Sequence, residues 1–252
     1  MMLATLISLF ALLTGDAAEM DAASQLYAEG RWDEAAALSS EFDTADAQIL
    51  AAGAHLAALM TEAVTTRRDR RRAAVAAREA GERAVELAPD RALSHLRFAA
   101  GIGYQTRYIS PVGAVLRGLP QRGREHIEVA LELDPHDPWG HAMLGAWHME
   151  VARRGGPGTL GADPQFGIER YRAASAMGGT EPALHYYFAV SLIAADPVLH
   201  AEEAASELDA ALAALPRDAF EQGIQTLSEA MKARLETDPA SASEEAIRQL
   251  EN

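Results

Sequence analysis

Ala84-Val85-Glu86-Leu87-Ala88-Pro89, Ala130-Leu131-Glu132-Leu133-Asp134-Pro135 and Ala174-Ser175-Ala176-Met177-Gly178-Gly179 are three copies of one signal. In each, a small residue stands three places before a large apolar one, so both fall on one face of a helix. A helix breaker follows two residues later. Beyond the breaker, His95, His141 and His185 occupy equivalent places, trailed by Phe98-Ala99, Leu144-Gly145 and Phe188-Ala189, at spacings of 46 and 44 residues. A looser copy lies near Leu215-Pro216. Repetition at this period marks stacked helical units that share a continuous core.

Reading outward from these segments gives helices nearly everywhere. Met20–Ala28 and Trp32–Ser40 flank a turn at Gly30, and further helices are expected at about 46–63, 68–87, 91–104, 121–133, 139–153, 166–177, 181–194, 199–215 and 218–236. Composition agrees. Of 252 residues 54 are alanine, the best helix former, and these small side chains leave a thin core suited to an elongated stack. The expected fold is all-α, an α-solenoid of about five antiparallel helix pairs over residues 19–236, with 237–252 a tail or one short helix. The chain has no cysteine, which removes disulfides, thiolate nucleophiles and Cys-ligated metals. Its net charge of −15 argues against nucleic acid as a partner. The uncharged run Leu3–Leu13, followed by small residues to Ala18, has the length of a signal-peptide core and is too short to span a bilayer. Residues 1–18 are therefore expected to be a signal peptide, cut after Ala17 or Ala18, leaving a periplasmic or secreted protein with no membrane span.

The repeat resembles the tetratricopeptide family, whose unit is two antiparallel helices with small residues at their crossing. Leu26-Tyr27, Gly30, Trp32 and Ala35 stand where that family places its first-helix end, turn glycine, aromatic and second-helix alanine; Ala130, Pro135, Leu144 and Gly145 match the closing and opening positions of successive units. The resemblance implies a right-handed superhelix that binds a protein or peptide in its concave groove. Extra length falls between the helices of a pair, at Gln105–Pro120 and Arg154–Gln165. With Leu133-Asp-Pro-His-Asp-Pro138 and Leu144-Gly-Ala-Trp147, this lengthened pattern is similar to two relatives of the family. These are the TRAP-transporter T-component and the regulator-of-microtubule-dynamics group. The first implies an accessory transport subunit that binds a small molecule.

The insert at 105–120 mixes aromatics, arginines and small apolar residues between prolines, unlike a plain solvent loop. It is expected to fold over the groove as a short helix, presenting Tyr104, Arg107, Tyr108 and Arg117 to a ligand or partner, since Tyr and Arg dominate interface hot spots. His148, two turns beyond His141, is the remaining groove candidate. Arg67, Arg68, Arg70, Arg71 and Arg72 make the one dense positive patch, able to grip a phosphate, an acidic lipid head or an acidic peptide. The equivalent histidines are expected to pack, because helix starts in neighbouring units lie about 10 Å apart, too far to share an ion. No His-Glu-x-x-His run, Gly-x-Ser-x-Gly elbow or acid–base pair is present. No metal, no cofactor and no catalysis are expected.

Overall fold

A computed structural model of the chain describes residues 18–178 and 181–252. Among the described residues the backbone forms thirteen α-helices and no strand: α1 (18–28), α2 (Trp32–Ser39), α3 (Ala45–Met60), α4 (Arg67–Leu87), α5 (Ala92–Thr106), α6 (Pro111–Leu116), α7 (Leu119–Leu133), α8 (Pro138–Gly155), α9 (Pro164–Gly178), α10 (Pro182–Ala195), α11 (Ala201–Ala213), α12 (Ala219–Thr237) and α13 (Pro239–Glu251). The all-α helical-repeat architecture read from the sequence is the one found. Gly179 of the third repeated segment lies outside the described residues, as does the expected signal peptide apart from Ala18, which opens α1.

Local chemistry sets the helix starts. The side chains of Thr44, Thr66, Asp137, Asp218 and Asp238 accept hydrogen bonds from backbone N–H groups in the first turns of α3, α4, α8, α12 and α13. Prolines at the first position open α8, α10 and α13, where a missing N–H costs nothing. Gly30 turns the chain between α1 and α2 at φ +79°, a left-handed conformation that glycine adopts without strain. The repeated histidines act on the same junctions. His95 Nε2 donates to the carbonyl of Pro89 at 2.8 Å, and His141 Nε2 to that of Pro135 at 2.9 Å. Each thus ties a new helix to the breaker that ended the last. In the third copy His185 turns instead to Glu207, at 2.7 Å.

The small residues of the repeat are the packing joints. Ala84, Ala130 and Ala174 are each 0% exposed. Where α4 crosses α5 and α8 crosses α9, glycines let backbone touch backbone. A Cβ on Gly81 would lie 2.6 Å from the Phe98 Cα, one on Gly101 2.5 Å from the Arg78 Cα, and one on Gly145 2.7 Å from the Gly167 carbonyl oxygen.

The stack closes on itself, which corrects the expectation of an open concave groove. Ala219 and Phe220 of α12 pack on the cluster of Trp32, Ala35, Ala36, Ala54, Ala57 and Ala58 from α2 and α3. Segment 237–252 is a full element of the fold. Ala242 and Ala246 on α13 are 0% exposed in the main core cluster, alongside α10 and α12. From α10, the Tyr187 hydroxyl reaches across to donate to the Met60 carbonyl at the end of α3 at 3.0 Å. With α13 included, the helices form six pairs rather than five.

Gly81→Ala is expected to destabilise the protein by about 1–3 kcal/mol in urea unfolding, because the added methyl forces α4 and α5 apart. Gly103→Ala on α5, where a Cβ meets nothing within 4 Å, is expected to stabilise by about 0.5–1 kcal/mol through helix propensity.

Candidate functional site: an apolar chamber stopped by the last helix

The inner faces of the closed stack surround a cavity of about 900 Å³, partly open to solvent. Leu56, Leu96, Ile102, Ile127, Met143 and Leu184 are among its apolar walls. One face of α6, with Pro111, Ala114 and Val115, also lines it, as do Leu119 and Pro120 at the start of α7. The insert is therefore a short helix beside the chamber, as the sequence suggested.

Leu250, in the last turn of α13, closes one end. The final carbonyls of a helix have no partner within it, and they carry the negative end of its dipole. Here three arginines, from α4, the end of α5 and α8, supply partners at the end of α13. Arg107 Nη1 donates to the Gln249 carbonyl at 2.9 Å, Arg154 Nη2 to that of Leu250 at 3.3 Å, and Arg70 Nε to that of Asn252 at 3.0 Å. The Tyr108 hydroxyl donates to the same Asn252 oxygen. Arg107 lies flat over the Tyr104 ring, 3.9 Å from its centre. Glu150 anchors Arg153 at 2.8 Å and also takes Arg154. Burial pushes the Glu150 carboxyl up, but the hydrogen bond from Arg153 and the charges of Arg154 and Arg153 outweigh it and hold the group below its ordinary value. Burial pushes the Tyr171 phenol on this wall up to about 12.

The residues singled out from sequence therefore divide. Tyr104 and Arg107 line the chamber, but Arg107 and Tyr108 spend their polar groups on α13. Arg117 follows α6 and is exposed to solvent. His148 is buried at 5% exposure between Trp147 and Phe166, and its Nδ1 accepts from the Asp163 N–H at 3.0 Å. It pins the 154–165 insert. The run at 67–72 is no single patch either. Arg67, Arg68, Arg71 and Arg72 are exposed, whereas Arg70 is 7% exposed and turned inward, donating also to the carbonyls of Val64 at 2.9 Å and Leu59 at 3.3 Å. Arg70 faces inward because its place in the register of α4 sets it on the side of Ala73, Ala74 and Ala77.

Arg97 is a candidate site residue that was not among those singled out from sequence. It lies on the chamber wall, with its Nε buried and without a hydrogen-bond partner among the described residues. The guanidinium rests over Gly53 of α3, where a Cβ would stand 3.4 Å from Cζ. A second pocket of about 400 Å³, between α1 and α3, borders its other side. Burial pulls the guanidinium below its ordinary pKa, opposed by Tyr27 and by Asp137. The repeat register held the clue. Two places after each repeated histidine come Arg97, Met143 and Tyr187, and all three line the chamber. A charge stands at a position that is otherwise apolar or aromatic.

His95, which is buried, and the half-buried His126 form a polar pair, Nδ1 to Nδ1 at 2.8 Å. With His95 Nε2 donating to Pro89, its Nδ1 accepts and His126 Nδ1 donates. Burial, His95 and Arg122 push His126 from 6.5 down to about 4.

Fold and site together define a closed all-α helical repeat built around an apolar chamber. The chain belongs to the regulator of microtubule dynamics protein 1-3 family, whose model matches residues 19–155, from α1 to the end of α8. It is 30% identical over 93 residues to the regulator of microtubule dynamics protein 3 of Rattus norvegicus, covering 37% of this chain and 19% of that protein. Arg70, Arg97, Tyr104, Arg107 and Arg154 all fall inside the family match, whereas α9–α13 lie beyond it.

Arg70→Met removes the donor to three carbonyls and is expected to cost about 3–5 kcal/mol. Hydrogen exchange in α13 is expected to quicken by about tenfold or more, while Arg71→Met, at an exposed position, leaves both stability and exchange unchanged. The depressed His126 gives a stability contribution that is complete above about pH 6.5 and declines as the pH falls towards about 4, because the unfolded chain takes up the proton first. Melting temperature is therefore expected to fall between about pH 6.5 and 5 in the parent, and to stay flatter in His126→Gln.

Proposed function

We propose that this chain is a non-catalytic binding protein whose chamber takes an amphiphile with a single anionic head. The head lies against Arg97 and the apolar chain runs along the walls formed by Leu96, Ile102 and Ile127. The observation that carries this reading is the Arg97 guanidinium, whose Nε is buried without a hydrogen-bond partner among the described residues, on a wall shared with Leu96, Ile102 and Ile127. A desolvated guanidinium N–H left without a partner is costly, and a ligand carboxylate or phosphate supplies a close negative charge and two parallel hydrogen bonds. The chamber volume also falls in the range of small-molecule sites, about 300–1,000 Å³.

The repeat is taken as the tetratricopeptide type, supported by Ala84, Ala130 and Ala174 at the helix crossings and by the breakers that follow them. Export to the periplasm is supported by the apolar run Leu3–Leu13. An accessory subunit of a TRAP-type transporter would need such a ligand chamber. A scaffold that holds a peptide in an open groove has less support, because α13 already occupies the groove end. The rat relative is named for regulating microtubule dynamics, but the shared stretch is 19% of that protein, too little to extend the role to this chain.

Calorimetry with palmitate and with hexadecanol tests the proposal. Palmitate is expected to bind about tenfold or more tightly than the alcohol, a difference of about 1.4 kcal/mol that Arg97→Met abolishes. The same variant is expected to raise the melting temperature of the unliganded protein by about 2–4 °C, as a desolvated guanidinium is replaced by an apolar chain. Equal affinity for acid and alcohol, or no affinity for either, overturns the reading.

A further inference from the structure

We propose that α6 and the first two turns of α4 form a surface that docks on anionic lipid bilayers. The inference rests on outward-facing side chains and is independent of what fills the chamber.

Helix α6 has two faces. Ala114 is 4% exposed and turned inward, whereas Val112 and Leu116, four residues apart and so on one side, are 71% and 82% exposed. Two branched aliphatic side chains thus project from a short helix with no groove around them and no element covering them among the described residues. Cations flank this apolar pair. Arg117 follows it directly and is exposed. Arg67 lies 5.7 Å from the ring of Tyr108, which places the start of α4 beside the segment that leads into α6. Arg68, Arg71 and Arg72 continue this exposed positive surface, with Asp69 offsetting only Arg72, at 3.3 Å. Positive charge here opposes the dipole of α4, so the fold itself gains nothing from it.

Charge complementarity selects the partner. In a chain of net charge −15, this cluster is the place where an anionic surface is attracted while the rest of the molecule is repelled, which fixes the orientation of approach. Size and composition select a bilayer over a folded protein. Stable protein interfaces need about 800 Å² from each partner and are anchored by aromatics in pockets. Here the apolar part is a few aliphatic side chains that insert at the headgroup–acyl boundary while arginines meet lipid phosphates.

Flotation of the full chain with vesicles tests this. Vesicles of phosphatidylcholine with about 30% phosphatidylglycerol are expected to carry at least about tenfold more protein than phosphatidylcholine alone, with the gain lost in high salt. Arg67→Gln with Arg71→Gln is expected to remove most of that preference. Val112→Ser with Leu116→Ser is expected to weaken binding several-fold on both vesicle types. These positions are exposed, so unchanged melting curves confirm that the variants stay folded. Absence of vesicle binding, equal binding to neutral and anionic vesicles, or variants that float like the parent overturn the proposal. Capture of a protein partner through these residues without vesicle binding also overturns it.

Discussion

The C-terminal turn of α13 exposes carbonyl oxygens that no residue of its own helix satisfies. Arg70 on α4, Arg107 just after α5 and Arg154 on α8 donate to the carbonyls of Asn252, Gln249 and Leu250. Three segments are thereby joined through the end of α13. Without that junction the repeats would still stack on their neighbours, because each crossing is local. What the junction adds is closure. It holds α13 against α4, α8 and the end of α5, while Ala219 and Phe220 of α12 meet the first units.

The chamber's lining carries several charged side chains. Arginines elsewhere around it are neutralised by carbonyls or carboxylates, as with Arg153 and Arg154 on Glu150 and Arg217 on Glu181 and Glu221. Arg97 breaks this pattern. Its neighbours are the bare backbone of Gly53, the phenol of Tyr27 and open space on two sides, with the charge of Asp137 acting on it. On the function proposed above, Arg97 is the group that a ligand would complete.

Much of this was legible in the sequence, and the remainder was not for identifiable reasons. Helix order and the alanine joints followed from short-range patterns, since Ala84, Ala130 and Ala174 must sit where helices approach closely. Breakers such as Pro89 and Pro135 and the turn at Gly30 placed the boundaries to within a few residues. The insert helix was legible from its mixture of prolines and apolar residues. Closure was not, because Ala219 and Phe220 meeting Trp32 is a contact across nearly the whole chain that no local signal encodes. The arginine run looked uniform because composition does not separate Arg70 from Arg71. One step of about 100° around the helix does, and it sends one side chain to the core and the other to water. His148 looked like a groove residue for the same reason and is instead a fastener for the second insert. Arg97 was legible in principle, through the repeat register that pairs it with Met143 and Tyr187.

Meeting of the first and last units also limits how this lineage can change. An open stack lengthens by duplicating a unit, since a new pair needs only one neighbour on each side. Here Gly30 and Ala219 already approach so closely that a Cβ on the glycine would lie 3.0 Å from the alanine Cβ. An added or deleted pair would alter the rotation from start to finish and pull those two apart. The number of repeats is therefore locked, and length can drift only in the connections outside the ring. That is where the two inserts are found, and it makes them the natural places for members of the family to diverge while the ring keeps its count.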